Sequence, residues 1–120
     1  MNRLVIASEF SPITGGRTPD EGEFSGQIFR DEVLVPKYIE CLDKNERLEI
    51  VFDNCYGIGT SFLEEAFGGL VRKYKYTDVL DHIKLTANDD ETILINVPKY
   101  IKAAENALKD KKNNLKRQLV

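Results

Sequence analysis

The run Ile50-Val51-Phe52 constrains this chain more than any other feature. It is closed by Asp53 and followed at once by the glycine-rich turn Tyr56-Gly57-Ile58-Gly59. Consecutive apolar residues do not alternate, so a strand here has to be covered on both faces, as in the interior of a sheet. Beyond the turn, Phe62, Leu63, Ala66, Phe67, Leu70 and Val71 recur at three- and four-residue spacing. That spacing predicts a helix with one wide apolar stripe, starting near Thr60. A covered strand leading directly into an amphipathic helix is the repeating unit of an α/β layer.

The rest of the chain repeats the unit. Residues 3–10 read as a short buried strand. Residues 11–26 hold four glycines and two prolines, so the chain turns or wraps, with room for a short hairpin. Ser25 has the chemistry of an N-cap for a helix over 26–43. That helix is expected to bury Ile28, Phe29, Val33, Leu34, Tyr38, Ile39 and Leu42. Pro36 should kink it or split it near Val35. Residues 82–87 alternate as a strand does, and Asn88-Asp89-Asp90 can cap a helix after it. Ile93, Val97, Ile101, Ala104 and Leu108 then give a last helix, with a kink or break expected at Pro98. The pair Gly68-Gly69 costs a helix about 1 kcal/mol per residue, and a close packing contact would be one reason to keep it. The expected division is a domain over 1–108 and a basic C-terminal tail or helix extension over 109–120, fraying or projecting.

At 120 residues, with 42% hydrophobic and 31% charged positions, one domain with one core is expected. No apolar run reaches the roughly 18 residues of a membrane span. The opening apolar stretch is too short for a signal peptide, so a cytoplasmic site is expected. Cys41 and Cys55 lack metal-site spacing and are expected to be reduced and buried, with a disulfide as the other reading. The lone His82 suits a structural role better than a metal or catalytic one. In residues 99–120, seven Lys/Arg face only Glu105 and Asp110, leaving +5 there and −8 on the rest of a chain whose total is −3. An acidic body argues against a nucleic-acid reader; the tail could touch phosphate, but a run of lysines is usually a solvated helix face.

Motifs for catalysis are missing. There is no phosphate-cradling G-x-x-x-x-G-K-[ST] or G-x-G-x-x-G, no G-x-S-x-G and no HExxH, so neither an enzyme nor a cofactor is expected. Glu64 and Glu65 are neighbours and point about 100° apart on a helix, so they are not a facing carboxylate pair. Arg17, in a glycine-rich loop, and Arg30, in the following helix, could together hold an anion or a nucleotide with Ser61, which makes a small anion- or nucleotide-binding domain the alternative reading. The structural reading is favoured, with each arginine paired to a nearby acid such as Asp20, Glu21 or Asp31.

Ser61 and Glu64 have the capping-box spacing, which by itself explains a hydroxyl at that position. The same place suits a switch. A phosphate on Thr60 or Ser61 would add close to two charges at a helix start, beside Glu64 and Glu65.

The stretch "FDNCYGIGTSFLEEAFGGLVRKY" resembles the regulatory turn of anti-sigma factor antagonists of the STAS class, where an apolar strand ending in Asp leads to a serine at a helix start. A closer resemblance is to a small bacterial family of STAS-like domains of unknown function. It is carried by Gly15-Gly16-Arg17, Ser25-Gly26, Phe29-Arg30, Leu34, Pro36, Ser61-Phe62-Leu63, Glu65 and Ala66-Phe67-Gly68, over about residues 4–105. Around Ser61 the chain differs from the antagonists, with Gly59-Thr60 before it and Leu63 two residues after it. The resemblance implies an α/β, STAS-like fold: a mixed, mostly parallel sheet with helices packed mainly on one side. It also implies a non-enzymatic regulatory module that docks a protein, such as a GHKL-type ATPase or kinase. The docking residues would be Tyr56, Gly57, Ile58, Gly59, Phe62, Glu64 and Glu65, with Ser61 and then Thr60 as the switch.

Overall fold

The computed structural model describes residues 2–119, and Met1 and Val120 lie outside the described residues. Three strands, β1 (Asn2–Val5), β2 (Leu48–Val51) and β3 (Ile83–Thr86), form a parallel sheet in the order β1-β2-β3. Leu4 pairs with Ile50 and Ile50 with Leu85, so the apolar positions line up across the sheet. Leu48, Ile50 and Ile83 are buried on that face, whereas Arg3, Glu49 and Lys84 line up on the other. On this polar face Glu49 pairs with Arg3 at 3.4 Å and accepts the Thr86 hydroxyl at 2.6 Å.

The first strand is shorter than its apolar run suggested. The chain leaves the sheet after Val5 and forms one helical turn, α1 (Ile6–Glu9). The Glu9 carboxylate accepts the Val5 N–H at 2.6 Å, and the Ile6 carbonyl accepts from Phe10 and Ser11, both at 2.9 Å. This turn sends Phe10 into an aromatic cluster with Phe24, Phe29 and Phe62.

The segment 11–25 is a wrap with no hairpin, and it serves the next helix. The first amides of a helix have no internal acceptor. Here the carbonyls of Gly16 and Arg17 accept from Gly26 and Gln27, each at 3.0 Å, while the Ser25 hydroxyl accepts from Ile28. Gly16 reaches the first of these with a φ of +84°, a value open to glycine.

Helix α2 runs over residues 26–43 without a break. Its middle, Arg30–Leu34, is a wide π turn, and Pro36 follows at the start of the next α-helical segment. The widened turn also rotates the second half of the helix. Val35, Tyr38 and Cys41 face the core, and Ile39 lies 41% exposed, contrary to the simple periodicity. The Tyr38 hydroxyl is buried without a hydrogen-bond partner among the described residues, and burial foremost, helped by nearby Tyr76, Asp78 and Glu105, pushes its pKa up to about 12.

Helix α3, residues 60–72, buries all six apolar positions of its stripe and contains a second π turn at Glu64–Gly68. A short α4 (Val79–His82) leads into β3, with the His82 ring edge-on to Tyr38. Helix α5 (Thr92–Leu119) is continuous through Pro98 and past Lys109. Its first half buries Ile93, Val97, Ile101 and Ala104, and residues 109–118 are all exposed. Asp90 caps its start, accepting the Thr92 N–H at 3.1 Å. No helix of the described residues is long and apolar enough to cross a membrane. Both cysteines are free thiols; Cys41 is buried, but Cys55 is only half-buried.

Candidate functional site

At the carboxyl end of the sheet, the turns after β2 and β3 clasp each other. Asp53 accepts the amides of Asn88 and Asp89 at 2.7 and 3.0 Å, and the Asn88 side chain at 2.9 Å. In return Asp89 accepts the Asn54 amide at 2.8 Å. The Asp89 N–H bond foremost, with those from Asn88, holds the Asp53 carboxyl below its ordinary range. Asn54, whose amide the clasp holds, sits at a φ of 67°, and Gly57 at 91°, a value open to glycine. A cleft of about 260 Å³ opens beside it, between Phe52, Cys55, Ile58 and Ile93.

From this anchored base the turn 54–59 projects. Its inner side is held by the N-terminal loop, where the Pro12 carbonyl accepts the Tyr56 amide at 2.8 Å. Its outer side is free: Tyr56 is 84% exposed, Gly57 and Gly59 are exposed and Ile58 is half-buried. Thr60 and Ser61 open α3 with exposed side chains, while Phe62 is buried in the aromatic cluster.

The capping box does not form. The N-cap is Gly59, whose carbonyl accepts from Leu63, and no side chain caps this end. Ser61 is the second helical residue, too late to cap, and Glu64 is turned to a different task. The Ser61 hydroxyl is thus left without a capping role.

That task is a charge clasp between α2, α3 and the wrap. Glu64 accepts Arg17 at 2.6 Å and both terminal guanidinium nitrogens of Arg72 at 2.6 and 3.1 Å. Burial works to raise its pKa, but the bonds from Arg72 and Arg17 outweigh it and leave the carboxyl below its ordinary range. Glu65 takes Arg30 and, at 3.4 Å, Arg17. Arg30 is only 3% exposed and also donates to the Glu65 carbonyl at 2.9 Å and to Asp31 at 2.9 Å. Asp31 in turn accepts Lys73 and Tyr74, at 3.0 and 2.8 Å. Burial works to raise its pKa, but the bond from Arg30 foremost, with those from Lys73 and Tyr74, outweighs it and holds the carboxyl low.

Two glycines make the clasp possible. A Cβ on Gly26 would lie 2.5 Å from the Phe62 carbonyl, so α2 and α3 cross there backbone to backbone. A Cβ on Gly69 would strike the Arg30 guanidinium, which packs directly against that position. This is the close contact that the Gly68-Gly69 pair called for.

The candidate residues therefore separate into two groups. Tyr56, Gly57, Ile58, Gly59, Thr60 and Ser61 form one continuous edge with exposed side chains at Tyr56, Thr60 and Ser61. Arg17 and Arg30 meet Glu64 and Glu65 rather than an open pocket, and Arg17 meets them instead of the adjacent acids Asp20 and Glu21 as its side-chain partners. Sequence reasoning missed Arg72, and it missed the Asp53–Asn88–Asp89 clasp. Its only trace in the sequence was acidic and amide residues directly after each of two strands.

A family model described as a STAS-like domain of unknown function (DUF4325) matches residues 25–92. The chain belongs to this family. The matched stretch begins at the cap of α2 and ends at the first residue of α5, so this STAS-like domain's clasp and turn lie within it apart from Arg17. The Gly15-Gly16-Arg17 part of the resemblance and most of α5 fall outside it. Neither a search of curated proteins nor one of solved structures gave a match.

Proposed function

We propose that this STAS-like domain is a non-enzymatic, cytoplasmic regulatory module that docks a partner protein through the edge formed by residues 56–61 and the start of α3. One observation carries the reading. Tyr56 is 84% exposed on a turn whose base is fixed from both sides, and beside it stand two exposed hydroxyls without structural duty. A large exposed aromatic on a rigid turn suits a docking anchor, because little freedom is lost when it is buried. The partner in this reading is a GHKL-type ATPase or kinase, and phosphate on Ser61, or on Thr60, switches the contact by adding charge next to Glu64. The helices cover mainly one face of the sheet in this reading, as two right-handed crossovers in the same direction would leave them.

The anion-binding alternative has no such support, since Arg17 and Arg30 are already matched by carboxylates. The test is affinity purification from the native host with mass spectrometry of the digest, comparing Ser61→Ala and Ser61→Glu. A specific ATPase or kinase retained by the alanine variant and lost with glutamate supports the switch. An unmodified protein without a specific partner overturns it.

A further inference from the structure

The distal half of α5 stands away from the body, yet its apolar stripe does not stop where the body ends. Leu108 and Leu115 follow Ile101 at seven-residue intervals, which keeps them on one face, and Leu115 is 57% exposed. Beneath that face, between α5 and residues 71–78, runs a groove of about 510 Å³. Its walls are apolar, from Val71, Tyr76, Leu108 and Leu115. Its rim is charged, with Lys75, Lys109, Lys111 and Lys112 against Asp78 and Glu105. Among the described residues, none of these four lysines forms an ion pair.

We propose that this groove seats an acidic, amphipathic helical segment of a partner protein. A helix lined up with an apolar wall on one side only offers the surface that another helix lays its apolar face into. The volume takes a few anchoring side chains, and the ring of lysines selects carboxylates on the flanks of that segment. A second copy entering through the same half-helix would bring Lys109, Lys111 and Lys112 against their like. A nucleic acid would use the lysines and leave the apolar walls unfilled. The site is independent of the docking edge: Ser61 and Val71 are ten residues apart on α3, about 15 Å at a helical rise of 1.5 Å.

Fluorescence anisotropy with the full chain tests this, using labelled, stapled peptides of about 15 residues so that the helix is preformed. The probes carry glutamates on the polar face and leucine, isoleucine, phenylalanine or methionine anchors at helical spacing. One control replaces the anchors with alanine and another replaces the glutamates with lysine. At least one probe is expected to bind about tenfold more tightly than both of its controls. Leu115→Ala and the double variant Lys111→Glu/Lys112→Glu should each lose most of that gain, and Ser61→Ala should lose none. Unfolding curves confirm that these exposed substitutions leave the fold intact. Three results overturn the proposal. The first is probes that bind no better than their controls. The second is duplex DNA binding more tightly, with steep salt dependence. The third is sedimentation velocity showing a dimer of the chain that Leu115→Ala abolishes.

Discussion

Arg30 and Lys112 carry the same charge and stand in opposite situations. Arg30 is 3% exposed and is met by Asp31, the Glu65 carboxylate and the Glu65 carbonyl. Lys112 is exposed at the rim of the groove beside α5, and it forms no ion pair among the described residues. The difference follows from position and chemistry. A planar guanidinium can satisfy several acceptors in a fixed arrangement, so it suits the seam between α2 and α3. Lysines are costly to immobilise, strongly hydrated point charges that gain little from a fixed structural contact. Charge in the first region is engaged within the fold, and charge in the second is left unpaired among the described residues.

The comparison breaks most readily at its buried end. Arg30→Ala takes from Glu65 and Asp31 the buried cation they share, leaving only Arg17 and Lys73 beside them, and opens a gap over Gly69. It is expected to cost about 3 kcal/mol or more in chemical denaturation, whereas Lys112→Ala should change stability by less than about 0.5 kcal/mol. Equal small losses would show that the clasp contributes no more than a surface charge. Gly26→Ala attacks the same seam without touching a charge. The added Cβ meets the Phe62 carbonyl, which is backbone and cannot swing aside, so a loss of about 1–3 kcal/mol is expected.

Acid should separate the regions as well. Asp31 and Glu64 have pKa values below their ordinary ranges when folded, so unfolding takes up protons there. Their contribution is fully present above the ordinary carboxylate range and is lost as pH falls through the depressed folded values. Unfolding curves are expected to shift to lower denaturant below about pH 4.5, with Glu64→Gln and Asp31→Asn each flattening that fall. Neutralising the lysines of α5 should leave the acid limb unchanged. Tyr38→Phe acts between the regions, where Tyr38 packs on Tyr76 at 4.9 Å. Removing a buried hydroxyl without a partner should raise stability by about 1 kcal/mol.

Much of this was legible in the sequence, and the remainder was hidden for physical reasons. A continuous apolar run located β2, though not the polar face it presents at Glu49, and apolar periodicity placed α3 and the buried positions of α5, because each depends on local spacing alone. It failed at Ile39, where a π turn shifts the face by one residue, and no composition signal marks such a turn. Ser25 was readable as a cap, but Ser61 was not readable as a non-cap. Both have the right neighbours, and only tertiary contacts commit Glu64 to Arg17 and Arg72 instead of to its own helix start. The arginine partners were hidden for the same reason. Arg17 finds carboxylates 47 and 48 residues away, not the acids beside it.

The smallest expected effect is the sharpest test of how the two regions divide their work. Ending the chain after Leu108 removes residues 109–120, of which 109–118 are all exposed. Thermal unfolding should therefore move little, by the equivalent of about 0.5 kcal/mol or less, because burial rather than helix propensity sustains α5. Far-UV dichroism should fall by the helix removed while the near-UV signal of the Phe10–Phe29–Phe62 cluster persists. A large loss of stability would mean that the distal half of α5 braces the body through Val71 and Tyr76, and that its lysines belong to the fold. A small loss leaves them free to act outside it.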